Sequence, residues 1–112
     1  MVLTEQDRIE EAVIPLTKSV ALAPEAAEPK INLAIALRSA GSTISAETSL
    51  REALQITPKS PIARSTLGLA LKDMGRLDEA EIACCQALAE ALDYAPGYVN
   101  LGDVLLARAK PT

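Results

Sequence analysis

The sequence predicts an all-α protein, a right-handed superhelical stack of about six helices paired as antiparallel hairpins. Three observations predict it. Leu67-Gly68 recurs as Leu101-Gly102, and the same slot one step earlier holds Leu33-Ala34, so the spacing is 34 residues each time. A fixed period of that length is the mark of stacked helix pairs. The chain is 49% hydrophobic but has only two aromatic residues, Tyr94 and Tyr98. Alanine and leucine fill much of the rest, and both enter helices at little cost. No stretch alternates as a half-buried strand would.

The first helix starts at Thr4, where Asp7 three residues on suits a capping box, and Glu5 and Asp7 lie near the positive end of the helix dipole. Ile9, Ala12, Val13, Leu16, Val20 and Ala23 continue at helical spacing. Pro15 should kink or split this helix, because it removes a backbone donor, and Pro24 ends it. Pro29 falls in the opening turn of the second helix, where its missing donor costs nothing. That helix carries Ile31, Leu33, Ala34, Ile35 and Leu37 and stops at Gly41, a C-terminal cap. Ser45, with Thr48 three on, starts the third, which runs through Leu50, Ala53, Leu54 and Ile56 to Pro58. The cycle repeats: Pro61 opens a fourth helix capped by Gly75, Asp78 starts a fifth, and Pro96 opens a sixth. Turns of about four residues make sequential helices antiparallel neighbours. The period divides one domain, 1–112, into a half repeat 1–26, repeats 27–60 and 61–94, and a half repeat 95–112.

These residues resemble the tetratricopeptide repeat, whose pattern is an aromatic, Leu-Gly, Tyr, then Ala, Phe, Ala and Pro. The middle repeat reads Arg64, Leu67, Gly68, Leu71, Ala80, Cys84, Ala87 and Leu92. The preceding one reads Lys30, Leu33, Ala34, Leu37, Ala46, Leu50, Ala53 and Pro58. The last gives Tyr98, Leu101, Gly102 and Leu105, and the first 24 residues give only the back half, Ala12, Leu16, Ser19 and Pro24. Arg64 and Lys30 depart from the aromatic, and Leu92 from the proline. The resemblance implies that Gly68, Gly102 and Ala34 sit where paired helices cross, and that the first helix of each pair lines a concave groove.

Groove residues would then be Ile31, Asn32, Ile35 and Arg38; Ser65, Thr66, Leu69 and Lys72; and Val99, Asn100, Asp103 and Leu106. Such a surface suits an extended peptide or an amphipathic helix. Asn32 and Asn100 occupy equivalent places with Thr66 between them. In similar arrays of protein O-linked glycosyltransferases, asparagines there grip a peptide backbone, since an amide both donates and accepts; the plainer reading is a tolerated solvent-facing site. Another subfamily grips chaperone C-terminal carboxylates with basic residues. The matching places here are Ile31, Ile35, Thr66, Pro96 and Asn100, so that clamp is not expected. Arg38 and Lys72 could attract an acidic segment or simply be solvated.

Chemistry is not expected. The chain has no histidine, hence not the commonest general base or metal ligand. There is no Gly-rich phosphate loop, and no cofactor or metal is implied. Asp73, Asp78 and Glu79 near a turn suit helix capping. Cys84 and Cys85 are adjacent, so in a helix their side chains point about 100° apart and cannot pair without strain; they read as reduced thiols in apolar places. The net charge is −4 with no basic stripe, which argues against nucleic acid. No basic segment followed by an apolar run opens the chain, and no window is apolar enough to cross a bilayer, so a cytoplasmic protein without membrane contact is expected.

The expected function is a protein-interaction scaffold that holds a peptide or helix in its groove. Alternatives are the substrate-recruiting segment of a larger transferase and a unit that assembles end to end. The first helix is the second member of a pair and the last helix the first member of another, so either the chain is a piece of a longer array or copies associate through their ends. Apolar surface on that last helix would mark an interface.

Overall fold

Two glycines thirty-four residues apart set the geometry of the chain. Gly41 has φ +88° and Gly75 has φ +77°, the left-handed conformation that only glycine adopts freely. Each closes the same turn. The Ser42 N–H donates to the Leu37 carbonyl at 2.8 Å, and the Arg76 N–H to the Leu71 carbonyl at 2.9 Å, the long bond of a Schellman cap. The computed structural model describes residues 4–110. Its helices are α1 (Glu5–Leu22), α2 (Ala27–Ser39), α3 (Thr43–Ile56), α4 (Pro61–Asp73), α5 (Leu77–Glu90) and α6 (Ala95–Ala109), with no strand among the described residues. They form the expected all-α stack of antiparallel hairpins.

The starts of α1 and α4 follow from side chains. Thr4 Oγ1 accepts from the Asp7 N–H at 3.1 Å while an Asp7 carboxylate oxygen accepts from the Thr4 N–H at 3.2 Å, a reciprocal capping box. Ser60 Oγ accepts from the Ala63 N–H at 3.3 Å, with Pro61 next in line. Three details differ from the sequence expectation. The third helix begins at Thr43 rather than Ser45, because the backbone turn at Gly41 already orients Ser42, whose carbonyl accepts from Ala46. The fifth begins one residue before Asp78 for the same reason, with Arg76 as its cap. And α1 runs unbroken through Pro15. Pro15 and Glu11, whose carbonyl loses its partner there, are both exposed, so solvent can satisfy that oxygen.

The core is built mainly from small side chains. Ala34, Ala46, Leu50 and Ala53 are wholly buried in the first complete pair, and Ala70, Ala80, Cys84 and Ala87 in the second. Alanine at these places lets the helix backbones approach closely. The leucines then supply the bulk of the apolar energy, about 1.5–3 kcal/mol for a side chain buried as fully as Leu50. Gly68 lies at the α4–α5 crossing, as expected. Gly102 does not lie at any crossing: a Cβ built there meets nothing within 4 Å.

The contacts between helices give the stack its curvature. α2 touches α4, and α4 touches α6. The alternate helices α1, α3 and α5 have no Cα pair within 8 Å of one another. The layer of α2, α4 and α6 is therefore the shorter, inner wall.

Candidate functional site

The inner wall is where the expected groove residues belong, but the packing of α4 against its neighbours divides them. Ile31, Ser65 and Thr66 are buried, at 7%, 1% and 8% exposure. Their helix faces turn into the core and toward the adjacent wall helix, so they support the groove rather than line it. Asn32, Ile35, Val99, Asp103 and Leu106 are exposed, and Arg38, Leu69, Lys72 and Asn100 are half-buried. Ile62 is 45% exposed and lies three residues before Ser65 on the same face of α4. Sequence reading missed it, although its spacing from Thr66 and Leu69 was the available signal.

Several polar groups of this wall are committed within the molecule. Arg38 Nε donates to an Asp73 carboxylate oxygen at 2.6 Å, and Nη2 to the other at 3.4 Å, tying α2 to α4. Asn100 Nδ2 donates to Ser65 Oγ, tying α6 to α4. The Thr66 hydroxyl donates to the Ile62 carbonyl one turn back, at 2.6 Å. Of the three places Asn32, Thr66 and Asn100, Asn32 alone has its side chain at an exposed position. The surface left on offer is a broken apolar stripe of Ile35, Ile62, Leu69, Val99 and Leu106, flanked by Asn32, Lys72 and Asp103.

The carboxylates noted near the turn are structural. Asp73 holds Arg38, Asp78 meets Arg108, and Glu79 takes Arg76 at 2.7 Å. Glu47 accepts from both Arg51 and Arg76. Partial burial alone would raise its pKa, but those two hydrogen bonds outweigh burial and hold it below the usual carboxylate range. The two cysteines differ. Cys84 is buried, and burial, together with the neighbouring Cys85, pushes its thiol up to about 11; Cys85 is exposed, contrary to the expectation that both thiols fill apolar places. No group of three or more His, Cys, Asp or Glu side chains is arranged to hold a metal among the described residues. No helix among them is long and apolar enough to cross a membrane.

Residues 63–94, most of the α4–α5 pair, match the tetratricopeptide repeat family. The α4–α5 pair carries a tetratricopeptide repeat. Solved structures show the same tetratricopeptide stack. The first such domain of Spaghetti (RPAP3), bound to the HSP90 peptide SRMEEVD, superposes with a TM-score of 0.83 at 22% identity, over 95% of this chain and 84% of that one. The second such domain of human RPAP3, in complex with the HSP70 peptide SGPTIEEVD, gives 0.79 at 21% identity, over 87% and 81%. A thermophilic tetratricopeptide protein of Thermus thermophilus gives 0.77 at 30% identity, over 88% of this chain and 50% of that one. No curated protein sequence matches the chain significantly.

The departures from the tetratricopeptide pattern have visible consequences. Arg64, in the place of the family aromatic, donates to Glu90 at 3.0 Å, to Gln86 at 3.2 Å and to the Pro58 carbonyl at 2.7 Å. Lys30 reaches Glu52 at 4.0 Å. Ion pairs thus replace aromatic packing at the edge of each hairpin. On the outer side an open cleft of about 450 Å³ remains between α3 and α5, floored by Leu54, Leu67, Leu71 and Ala83 beside Arg64. The scarcity of aromatics was the sequence signal for it.

Proposed function

We propose that this tetratricopeptide stack is a protein-interaction scaffold whose inner wall receives the apolar stripe of an amphipathic helix or extended peptide. One observation carries the reading. The wall's Arg38 and Asn100 side chains are engaged with Asp73 and Ser65, while Ile35, Ile62, Val99 and Leu106 remain between 43% and 65% exposed. Exposed apolar residues aligned on one wall mark a surface that gains by being covered, and helix-in-groove recognition reads such residues at three- and four-residue spacing. The RPAP3 domains, which hold chaperone peptides, support the general idea that a stack of this size accommodates a peptide.

The mode differs from recognition of an acidic terminus. Ile31 is buried, Ile35 is apolar, and the Arg38 guanidinium is neutralised by Asp73, so the wall has little positive charge to offer a carboxylate. Selection of peptides from a random library on the folded chain tests this. The peptides should converge on apolar residues at helical spacing, and Ile35→Glu/Leu106→Glu should weaken their binding at least tenfold. Convergence on peptides with an acidic C-terminus, or binding indifferent to the double variant, would refute the apolar mode.

A further inference from the structure

The outer cleft between α3 and α5 has a chemistry of its own, and every residue lining it belongs to α3, α4 or α5, the middle of the chain. Its volume is about 450 Å³. Leu67, Leu71 and Ala83 form an apolar floor at 4%, 2% and 4% exposure, and Ile82 on the rim is 58% exposed. Arg64 and Leu71, which both line it, stand where the tetratricopeptide pattern has rings, so the trough lacks that aromatic volume. They are seven residues apart on α4, which makes the trough about 10 Å long. That is room for one large side chain rather than a helix.

Hydrogen-bond donors dominate the polar rim. Arg64 donates from Nε to Glu90, from Nη1 to Gln86 and from Nη2 to the Pro58 carbonyl, and a guanidinium has further N–H groups beyond those. Gln86 accepts through Oε1, which leaves its amide nitrogen as a donor. Gln55 brings a second exposed amide from the α3 side. At the far end Arg51 meets a single Glu47 oxygen through Nε and Nη2, so Nη1 stands outside that pair. Glu79 is the one carboxylate among the lining residues, and Arg76 donates to both its oxygens. Glu47 and Glu90, the partners of the two guanidiniums, do not line the cleft. In a chain of net charge −4, this rim therefore suits an anion. The inner wall is the reverse: Arg38 is neutralised by Asp73, and Asp103 is exposed.

We propose that this cleft is a second docking site, for a segment of a partner protein that carries an aromatic side chain beside a carboxylate. The ring fills the trough against Leu54, Leu67 and Ile82, with the Arg64 guanidinium at its end for a cation–π contact. The carboxylate takes the spare N–H groups of Arg64 and Gln86. That charge-assisted bond is stronger than the neutral Arg64–Gln86 bond it loosens. The cleft opens on the outer side, away from Ile35 and Leu69. One molecule can then hold two partners at once, an apolar stripe on the inside and an acidic aromatic segment on the outside. The site shares no residue with the groove stripe, so it stands or falls apart from peptide binding there.

Nitrogen–proton correlation NMR on the 112-residue chain tests it. The probes are three acetylated and amidated tetrapeptides, Gly-Trp-Glu-Gly, Gly-Trp-Gln-Gly and Gly-Ala-Glu-Gly. The first should shift the signals of Gln55, Ala83 and Gln86 and leave those of Ile35 and Leu69 in place. The other two should each bind about fivefold more weakly. Gln86 is exposed, and Gln86→Glu sets a carboxylate against Arg64. It should weaken the first peptide about fivefold and leave the second unchanged. Should that variant alter the fold, Ile82→Ser on the exposed rim replaces it and should weaken both tryptophan peptides. Equal binding of the glutamate and glutamine peptides, shifts confined to the inner wall, indifference to the variants, or no shift with any peptide would each overturn the proposal. Octanoate moving the same signals where the peptides do not would assign the cleft to a small organic acid and overturn it too.

Discussion

Gly68 and Cys84 are in such close register across the α4–α5 crossing that a single methyl group on the glycine would meet the sulfur at 2.5 Å and the Ala80 carbonyl oxygen at 3.2 Å. Gly68→Ala should therefore destabilise the fold by about 1–3 kcal/mol through overpacking. Gly102→Ala, in open space on the same helical register, should instead stabilise by about 0.5–1 kcal/mol, the ordinary helix preference for alanine. Urea denaturation of the two variants checks the pair. Equal changes of the same sign would contradict the crossing geometry.

Asn100 and Asn32 stand at equivalent positions but carry different loads. Asn100→Ala removes the amide that meets the buried Ser65 hydroxyl, and should cost about 1 kcal/mol. Asn32→Ala, at an exposed site, should change stability by less than about 0.5 kcal/mol. Thermal melting separates them, and a neutral Asn100→Ala would remove the brace.

The cysteines should label at very different rates. Cys85 is exposed and should react with a disulfide reagent at once, whereas Cys84 should react only when the fold opens. Its thiol, raised from 9.0 to about 11, favours the protonated form in the folded state. Stability from this group is therefore fully present below about pH 9 and is lost as pH rises toward 11. Mass spectrometry after a short labelling pulse would show one adduct on the folded chain and two on the unfolded chain.

Glu47 should give the acid limb of stability. Its pKa is lowered from 4.5 in the folded state, so the unfolded chain binds the proton more readily. Its contribution is present above about pH 4.5 and is lost as pH falls through the lower folded value. Glu47→Gln should cost no more than about 1 kcal/mol at neutral pH and flatten the decline in melting temperature at more acid pH. A slope identical to wild type would show that Arg51 and Arg76 do not hold this carboxylate.

The period of the chain was legible because glycine, alanine and proline each answer one steric demand. Gly41 and Gly75 turn the backbone, Ala34 and Gly68 allow the crossings, and Pro61 and Pro96 open helices. Helix starts were less legible where no side chain makes them. Thr43 begins α3 because a backbone turn has already set Ser42, and Ser45 looked like a cap only by residue type. The wall was half legible. Helical spacing placed Ile35, Val99 and Leu106 on the surface, but it does not reveal how near α4 and α6 lie. That distance is what buries Ser65 and Thr66 and draws Asn100 inward. The same ignorance of neighbours put Gly102 at a crossing.

The separation of the outer helices has a mechanical consequence. Because α1, α3 and α5 keep their backbones apart, flattening or tightening the arc crushes few side chains on the outside. The inner wall is fastened by Arg38–Asp73 and Asn100–Ser65, and on the outer side only the side chains of Arg76 and Glu47 reach from the turn before α5 to α3. The molecule is in effect a leaf spring clamped along its short side, and a partner seated against Ile35 and Leu106, as proposed, would press directly on the clamps.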